Sequence, residues 1–198
     1  MKLENITNTV KVIPVVVIDD LSKTSGIISA LLEGGIPCAE ITLRTPCALE
    51  AIKYASQSFP SAFIGAGTVI NADQARAAID AGACFIVSPG LSQSVAQVCL
   101  ERGVPYVPGC VTPTEIMQAL ELGINTVKFF PAGIYGGLSA IKALSAPFPQ
   151  VKFVPTGGVS YDNVKDFLSF DKIAAVGGSF MMKGDIAQNC KKLFEIIG

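Results

Sequence analysis

The chain has 198 residues, half of them hydrophobic, with 16% charged and a formal net charge of −1. That length fits one domain over residues 1–198, since single cores stop growing beyond roughly 250–300 residues, and a balanced charge without a basic stripe excludes nucleic acid and anionic membrane surfaces as expected partners. Histidine is absent, which removes the commonest zinc ligand and the commonest general base together and leaves carboxylate, lysine, tyrosine or thiol to carry any catalysis.

A charged fraction well under the ordinary ~25%, with much Ala, Val, Ile and Gly, fits a parallel sheet covered by helices on its faces. The six cysteines, Cys38, Cys47, Cys84, Cys99, Cys110 and Cys190, include no C-x-x-C pair. They read as small buried hydrophobes in a reducing compartment. The uncharged run Val12–Ile18 is far too short to span a bilayer, and the lead containing Glu4 lacks a signal-peptide layout. The expected location is the cytoplasm.

In chain order, Val12–Ile18 is the first predicted strand, followed by a helical segment Ile27–Glu33 that stops at glycine. Ala39–Leu43 is the second strand; Thr45 as N-cap and Pro46 at the first helical position open the next helix. Phe63–Thr68 is the third strand, and Asn71 caps a helix that includes Gln74–Ala81 and stops at Gly82. Phe85–Ser88 precedes the helical segment Val95–Arg102 and Gly103, and Tyr106–Pro108 precedes Thr112-Pro113-Thr114-Glu115, a capping box with proline at the first helical position. The helix it opens, through Ile116–Leu122, stops at Gly123. Thr126–Phe130, Lys152–Pro155 and Ile173–Val176 complete eight strands, and Asp185 caps a last helix with Ile186, Cys190, Leu193 and Ile197 on one face.

Eight strands recurring roughly every 20–25 residues, each with a helix, predict an α/β fold of the (β/α)8 TIM-barrel type. An open doubly wound sheet is the competing architecture, but no G-x-G-x-x-G opens the chain and eight even repeats exceed its needs.

Catalytic groups in a barrel lie at the C-terminal strand ends. Lys128 interrupts the apolar run Thr126–Phe130, and strand alternation sets it on the opposite face from Val127 and Phe129. If those two face the helices, the amine points into the barrel, where burial favours the neutral form needed to attack a ketone. A lysine reaching solvent at a strand edge is the plain alternative. Glu40, Thr42 and Arg44 share one face by period two. Glu40 and Arg44 could form a structural ion pair. Beside an inward lysine they fit better as a proton shuttle and a bidentate carboxylate clamp. Gly157-Gly158 and Gly177-Gly178-Ser179 follow strands seven and eight, where barrels often bind phosphate through main-chain N–H groups.

The segments Glu40–Thr45, Gly65–Val69, Ser88–Gly90, Lys128–Ala132, Pro155–Gly158 and Gly177–Ser179 together resemble the bacterial 2-keto-3-deoxy-6-phosphogluconate aldolases, which are often also 4-hydroxy-2-oxoglutarate aldolases. Their order and spacing cover almost the whole chain. The resemblance implies a Schiff base on Lys128 and Glu40 as general acid/base working through a water. It implies that Arg44, Thr68, Pro89 and Thr156 hold the pyruvate portion, and that Gly157, Gly158, Gly178 and Ser179 hold the phosphate. It also implies a homotrimer, no metal, no cofactor, and small-molecule partners: a phosphorylated keto acid and pyruvate. The chain differs in a shorter N-terminal lead, a compact tail after Ser179, and Phe180 where relatives often carry tryptophan.

Three alternatives stand beside that reading. A galactonate-type phospho-aldolase shares the lysine chemistry, although the Thr42-Leu43-Arg44 run favours the gluconate type. A sugar-phosphate epimerase or isomerase barrel would use Glu40 as base and leave Lys128 as a charge. A silent phosphate-binding barrel would use neither.

Overall fold

The structure, a computed structural model, describes Thr7 and residues 10–198; the lead around Glu4 lies outside the described residues. The strands are β1 (Val12–Val16), β2 (Cys38–Thr42), β3 (Phe63–Gly67), β4 (Ile86–Val87), β5 (Tyr106–Val107), β6 (Thr126–Phe129), β7 (Lys152–Pro155) and β8 (Val176–Gly178). All pair in parallel. Six run in the order β5-β4-β3-β2-β1-β8, and β6 pairs with β7. Single bridges join the two sets: Gly109 with Lys128 on one side, Phe153 with Ile173 and Thr156 with Gly177 on the other. The result is the expected (β/α)8 barrel, with two of its three seam bridges made by Lys128 and Thr156.

Helices α1 (Thr24–Glu33), α2 (Ala48–Ser58), α3 (Ala72–Asp80), α4 (Gln93–Arg102), α5 (Pro113–Glu121), α6 (Gly137–Ser145), α7 (Val164–Leu168) and α8 (Ile186–Ile197) follow the eight strands in turn. Their predicted caps are largely present. The Asn71 side chain accepts from Gln74 N, Asp185 accepts from Gln188 N, and Thr112 with Glu115 forms both halves of the capping box. Gly35, Gly82, Gly103 and Gly123 all turn left-handed just past a helix, a conformation that costs glycine nothing because it has no Cβ.

Two expectations need correction. Thr45 does not cap α2. Its hydroxyl donates instead to the Ile18 carbonyl, tying the loop after β2 to the loop after β1, and α2 starts only after Cys47. Strand eight is shifted: it runs Val176–Gly178, and Ile173 makes only an isolated bridge to Phe153. Branched residues drew the expected strand toward Ile173. The two glycines are extended because tertiary packing demands it, as a Cβ on Gly177 would lie 2.3 Å from Thr156 Oγ1.

The fully buried rings of Phe85, Phe129 and Phe153 are among the largest core side chains. Phe85 fills the space in front of Gly65, where a Cβ would meet its ring atoms at 2.3 Å. Gly26, inside α1, faces open space with nothing within 4 Å of an added Cβ. Gly65→Ala should therefore destabilise the fold by about 1–3 kcal/mol through overpacking. Gly26→Ala should stabilise it by about 0.5–1 kcal/mol through helix propensity. Urea denaturation of the two variants beside the parent checks both signs; equal effects would contradict the packing described.

Candidate active site

Lys128 sits on β6 with its side chain inside the barrel, 5% exposed, and Glu40 on β2 is 3% exposed. Lys128 Nζ donates to Glu40 Oε1 at 3.2 Å. Neighbouring Val127 and Phe129 are also buried, as the alternation required. The lysine is thus not buried alone: its partner comes from 88 residues away in sequence. A second neighbour is the Phe130 ring, whose centroid lies 5.3 Å from Nζ, close enough for a cation–π attraction. The main chain of Lys128 is pinned as well, since Lys128 N donates to Pro108 O at 2.8 Å and Cys110 N to Lys128 O at 2.9 Å.

Glu40 can reach this position because residue 67 has no side chain. A Cβ there would stand 2.2 Å from Glu40 Oε1 and 2.6 Å from its Cγ. β2 and β3 pair with Thr42 opposite Gly67, so the carboxylate lies over the end of the neighbouring strand.

Arg44 is exposed and lies just beyond β2. Its Nε donates to Thr68 Oγ1 at 3.1 Å, which leaves both terminal NH2 groups for an incoming carboxylate. No ion pair joins Arg44 to Glu40 among the described residues. Thr68 has φ +59°, the left-handed region. For a branched residue that conformation is an outlier costing roughly 1–3 kcal/mol. Flanking bonds hold it, including Val69 N to Val87 O and Ile70 N to the Gln74 side chain.

Thr156 is buried, and its main-chain N donates to Phe129 O at 2.9 Å. Beyond it the chain runs straight into Gly157 and Gly158, at φ +81° and +86°. The loops after β6 and β7 continue the strand ladder: Ala132 N donates to Thr156 O and Gly133 N to Gly157 O.

A cavity of about 260 Å³ opens here, with Arg44, Lys128, Thr156, Gly157, Gly158, Gly178 and Ser179 in its wall. Seven of the ten expected site residues are thereby brought together. Glu40 lies behind Lys128 rather than in the wall, and Thr68 reaches the site through Arg44. Pro89 lies outside the wall; its carbonyl packs where a Cβ on Gly109 would come within 2.0 Å. Val15, Phe130, Val159 and Phe180 line the cavity too and were not singled out by sequence. The only sequence signal for Val15 and Phe180 was their place at strand ends one and eight. Phe180 packs over Gly178 and meets the Tyr161 ring edge-on, centroids 5.0 Å apart.

Thiols supply no rival nucleophile. Burial pushes the Cys99 and Cys110 thiols up to about 12 and Cys84 up to about 11, so they stay protonated near neutral pH. None lines the cavity. Among the described residues no group of three or more Cys, Asp or Glu side chains is placed to hold a metal ion, and no helix is long and apolar enough to cross a membrane.

The sequence profile of the KDPG and KHG aldolases matches residues 3–196. A KHG/KDPG aldolase of Escherichia coli (strain K12) is 40% identical over 182 residues, 92% of this chain and 85% of that protein. The 2-dehydro-3-deoxy-phosphogluconate aldolase of Treponema pallidum (strain Nichols) is 44% identical over 173 residues, 87% and 82% of the two chains. A crystal structure of KDPG aldolase from Legionella pneumophila, with pyruvate captured at low pH as a covalent carbinolamine intermediate, superposes with a TM-score of 0.91. It is 37% identical, and the match covers 100% of this chain and 97% of that one.

The contact between Gly67 and Glu40 yields a thermodynamic cycle. Gly67→Ala should displace the carboxylate and leave Lys128 as an uncompensated buried charge, at a cost of about 3–5 kcal/mol. In a Glu40→Ala background, where the clash is gone, the same substitution should cost less than about 1 kcal/mol. Denaturant unfolding of the four proteins measures the difference. Equal costs in both backgrounds would show that Glu40 does not occupy the space over Gly67.

Proposed function

The chain belongs to the KDPG and KHG aldolase family, and from that premise we propose that it cleaves 2-keto-3-deoxy-6-phosphogluconate to pyruvate and glyceraldehyde 3-phosphate through a Schiff base on Lys128. Cleavage of 4-hydroxy-2-oxoglutarate to pyruvate and glyoxylate follows the same course. The observation that carries the proposal is the buried Lys128–Glu40 pair at 3.2 Å, at the base of a cavity with an arginine and four phosphate-sized main-chain N–H positions in its wall.

Proton transfer from the Lys128 ammonium to Glu40 gives a free amine and a neutral acid. The amine adds to C2 of the keto acid, and Glu40, through a water, returns the proton to the carbinolamine oxygen. Loss of water leaves a protonated imine, the electron sink for the next step. Removal of the C4 hydroxyl proton breaks the C3–C4 bond; the aldehyde leaves and the bonding pair flows into the imine, forming an enamine. Protonation of C3 and hydrolysis release pyruvate and restore the amine.

Arg44 meets the substrate carboxylate with its two free NH2 groups, aimed by Thr68, and Thr156 and Pro89 complete the pyruvate end. Gly157, Gly158, Gly178 and Ser179 hold the phosphate, whose binding energy orients the reacting end. Residues 1–198 act as one catalytic barrel, in the cytoplasm and as a homotrimer. Exposed Ile134 and Tyr135 beside the mouth supply apolar surface for a neighbouring subunit. The gluconate type is preferred to the galactonate type because the relatives matched at 40% and 44% identity carry the gluconate name.

Release of pyruvate from the two C4-epimeric phosphorylated keto acids tests the reading. The gluconate-derived substrate should give the higher kcat/KM. Glu40→Gln should lower turnover by about 10²–10⁴, and Lys128→Met should abolish it. Gly178→Val should raise KM for the phosphorylated substrate and leave that for 4-hydroxy-2-oxoglutarate nearly unchanged. Turnover retained in Lys128→Met would point to a Glu40-based isomerase and overturn the proposal.

A further inference from the structure

The barrel has a second polar cavity, of about 350 Å³, at the opposite end from Lys128. It opens at the starts of the strands, beside the seam where β7 meets β8 only through isolated bridges. Its wall includes Lys11, Asn125, Thr126, Gln150, Lys152 and Asp171. We propose that this cavity is a second ligand site, for a small dianion bearing either a phosphate or two carboxylates.

The charges make the case. The Lys152 ammonium donates to the main-chain oxygen of Asp171, not to a carboxylate. The Asp171 carboxylate is 3.6 Å from a different lysine, Lys172. Lys11, exposed at the rim, makes no hydrogen bond or ion pair with its side chain among the described residues. Two ammonium groups therefore border one cavity without a matching anion, in a chain whose net charge is −1. Their mutual repulsion is relieved by a bound negative charge, and a dianion matches both.

The neutral groups fit as well. Thr126 Oγ1 donates to Asn125 Oδ1 at 3.5 Å, which occupies the amide oxygen and leaves the Asn125 NH2 as a free donor. Gln150 brings a second amide to the wall. Lysine binds such anions as a point charge with rotatable donors, so the site needs no rigid fork. The volume holds a three- or four-carbon dianion with water to spare.

The site also bears on the wall of the barrel. Thr126 precedes Lys128 by two residues on β6, on the same face, and pairs with Lys152 at the start of β7. A ligand joining Lys11 to Lys152 would clamp β1 to the β6–β7 pair across the open seam. It stabilises the folded chain in proportion to occupancy.

Titration calorimetry and thermal unfolding with inorganic phosphate and with succinate test this on the full chain. The mouth also attracts phosphate, so the key protein is Gly178→Val, whose mouth is blocked. It should still bind about one equivalent of phosphate or succinate, with a Tm that climbs with ligand concentration. Adding Lys11→Gln and Lys152→Gln should weaken that binding at least tenfold. The two lysine changes alone should leave kcat/KM for aldol cleavage unchanged. If Gly178→Val does not fold, the parent should bind two equivalents of phosphate and Lys11→Gln/Lys152→Gln one. Phosphate binding assigns a phosphate-headed ligand, and succinate binding alone assigns a dicarboxylate. Absence of both, or binding unaffected by removal of the lysines, overturns the proposal. Either result is independent of whether Lys128 forms a Schiff base.

Discussion

A charged pair placed almost out of reach of water, Lys128 against Glu40, is the constraint around which the rest of the barrel is arranged. Each ion alone would cost several kcal/mol to bury, and their attraction repays that only when geometry is tight. The fold supplies the geometry from both sides. Gly67 removes the side chain that would stand in the carboxylate's place. Both main-chain polar groups of Lys128 are bonded to the segment after β5. Such a pair is weak evidence for stability, since apolar residues of equal volume would often do better. It is far better explained by chemistry: one proton moved over 3.2 Å converts an inert ammonium into a nucleophile and its neighbour into an acid.

Around that pair the mouth is divided by chemical type. Arg44 offers a planar fork on one side. Gly157 and Gly158, kept left-handed and stitched to the β6 loop, offer main-chain N–H groups on another. The strain at Thr68 belongs to this division. A residue forced into the left-handed region is tolerated where surrounding bonds over-determine it, and here its hydroxyl fixes Arg44. Val15, Phe130, Val159 and Phe180 fill the intervening wall with apolar surface, which keeps water from competing for the polar groups.

Much of this was legible in the sequence, for identifiable reasons. Strand periodicity and helix caps are local, so the eight repeats and the caps at Asn71, Thr112 and Asp185 could be read directly. Lys128 and Glu40 were visible because each breaks an apolar run at an inward position. What escaped depended on distant partners. Thr45 looked like a cap until Ile18 claimed its hydroxyl. Strand eight looked apolar until packing of Gly177 on Thr156 moved it. Gly67, Phe180 and the left-handed Thr68 gave no local signal, since their roles rest on side chains from other strands. The pairing of Lys128 with Glu40, rather than Arg44 with Glu40, is likewise a property of closure.

The account stands or falls on the lysine. Sodium borohydride added to the protein in the presence of pyruvate should reduce the imine to a stable secondary amine. Intact-mass measurement should show one pyruvate-derived group per chain, and peptide mapping should place it on Lys128. A protein that gains no mass, or whose adduct maps to another lysine, would contradict the assignment of Lys128 as the group that carries the reaction.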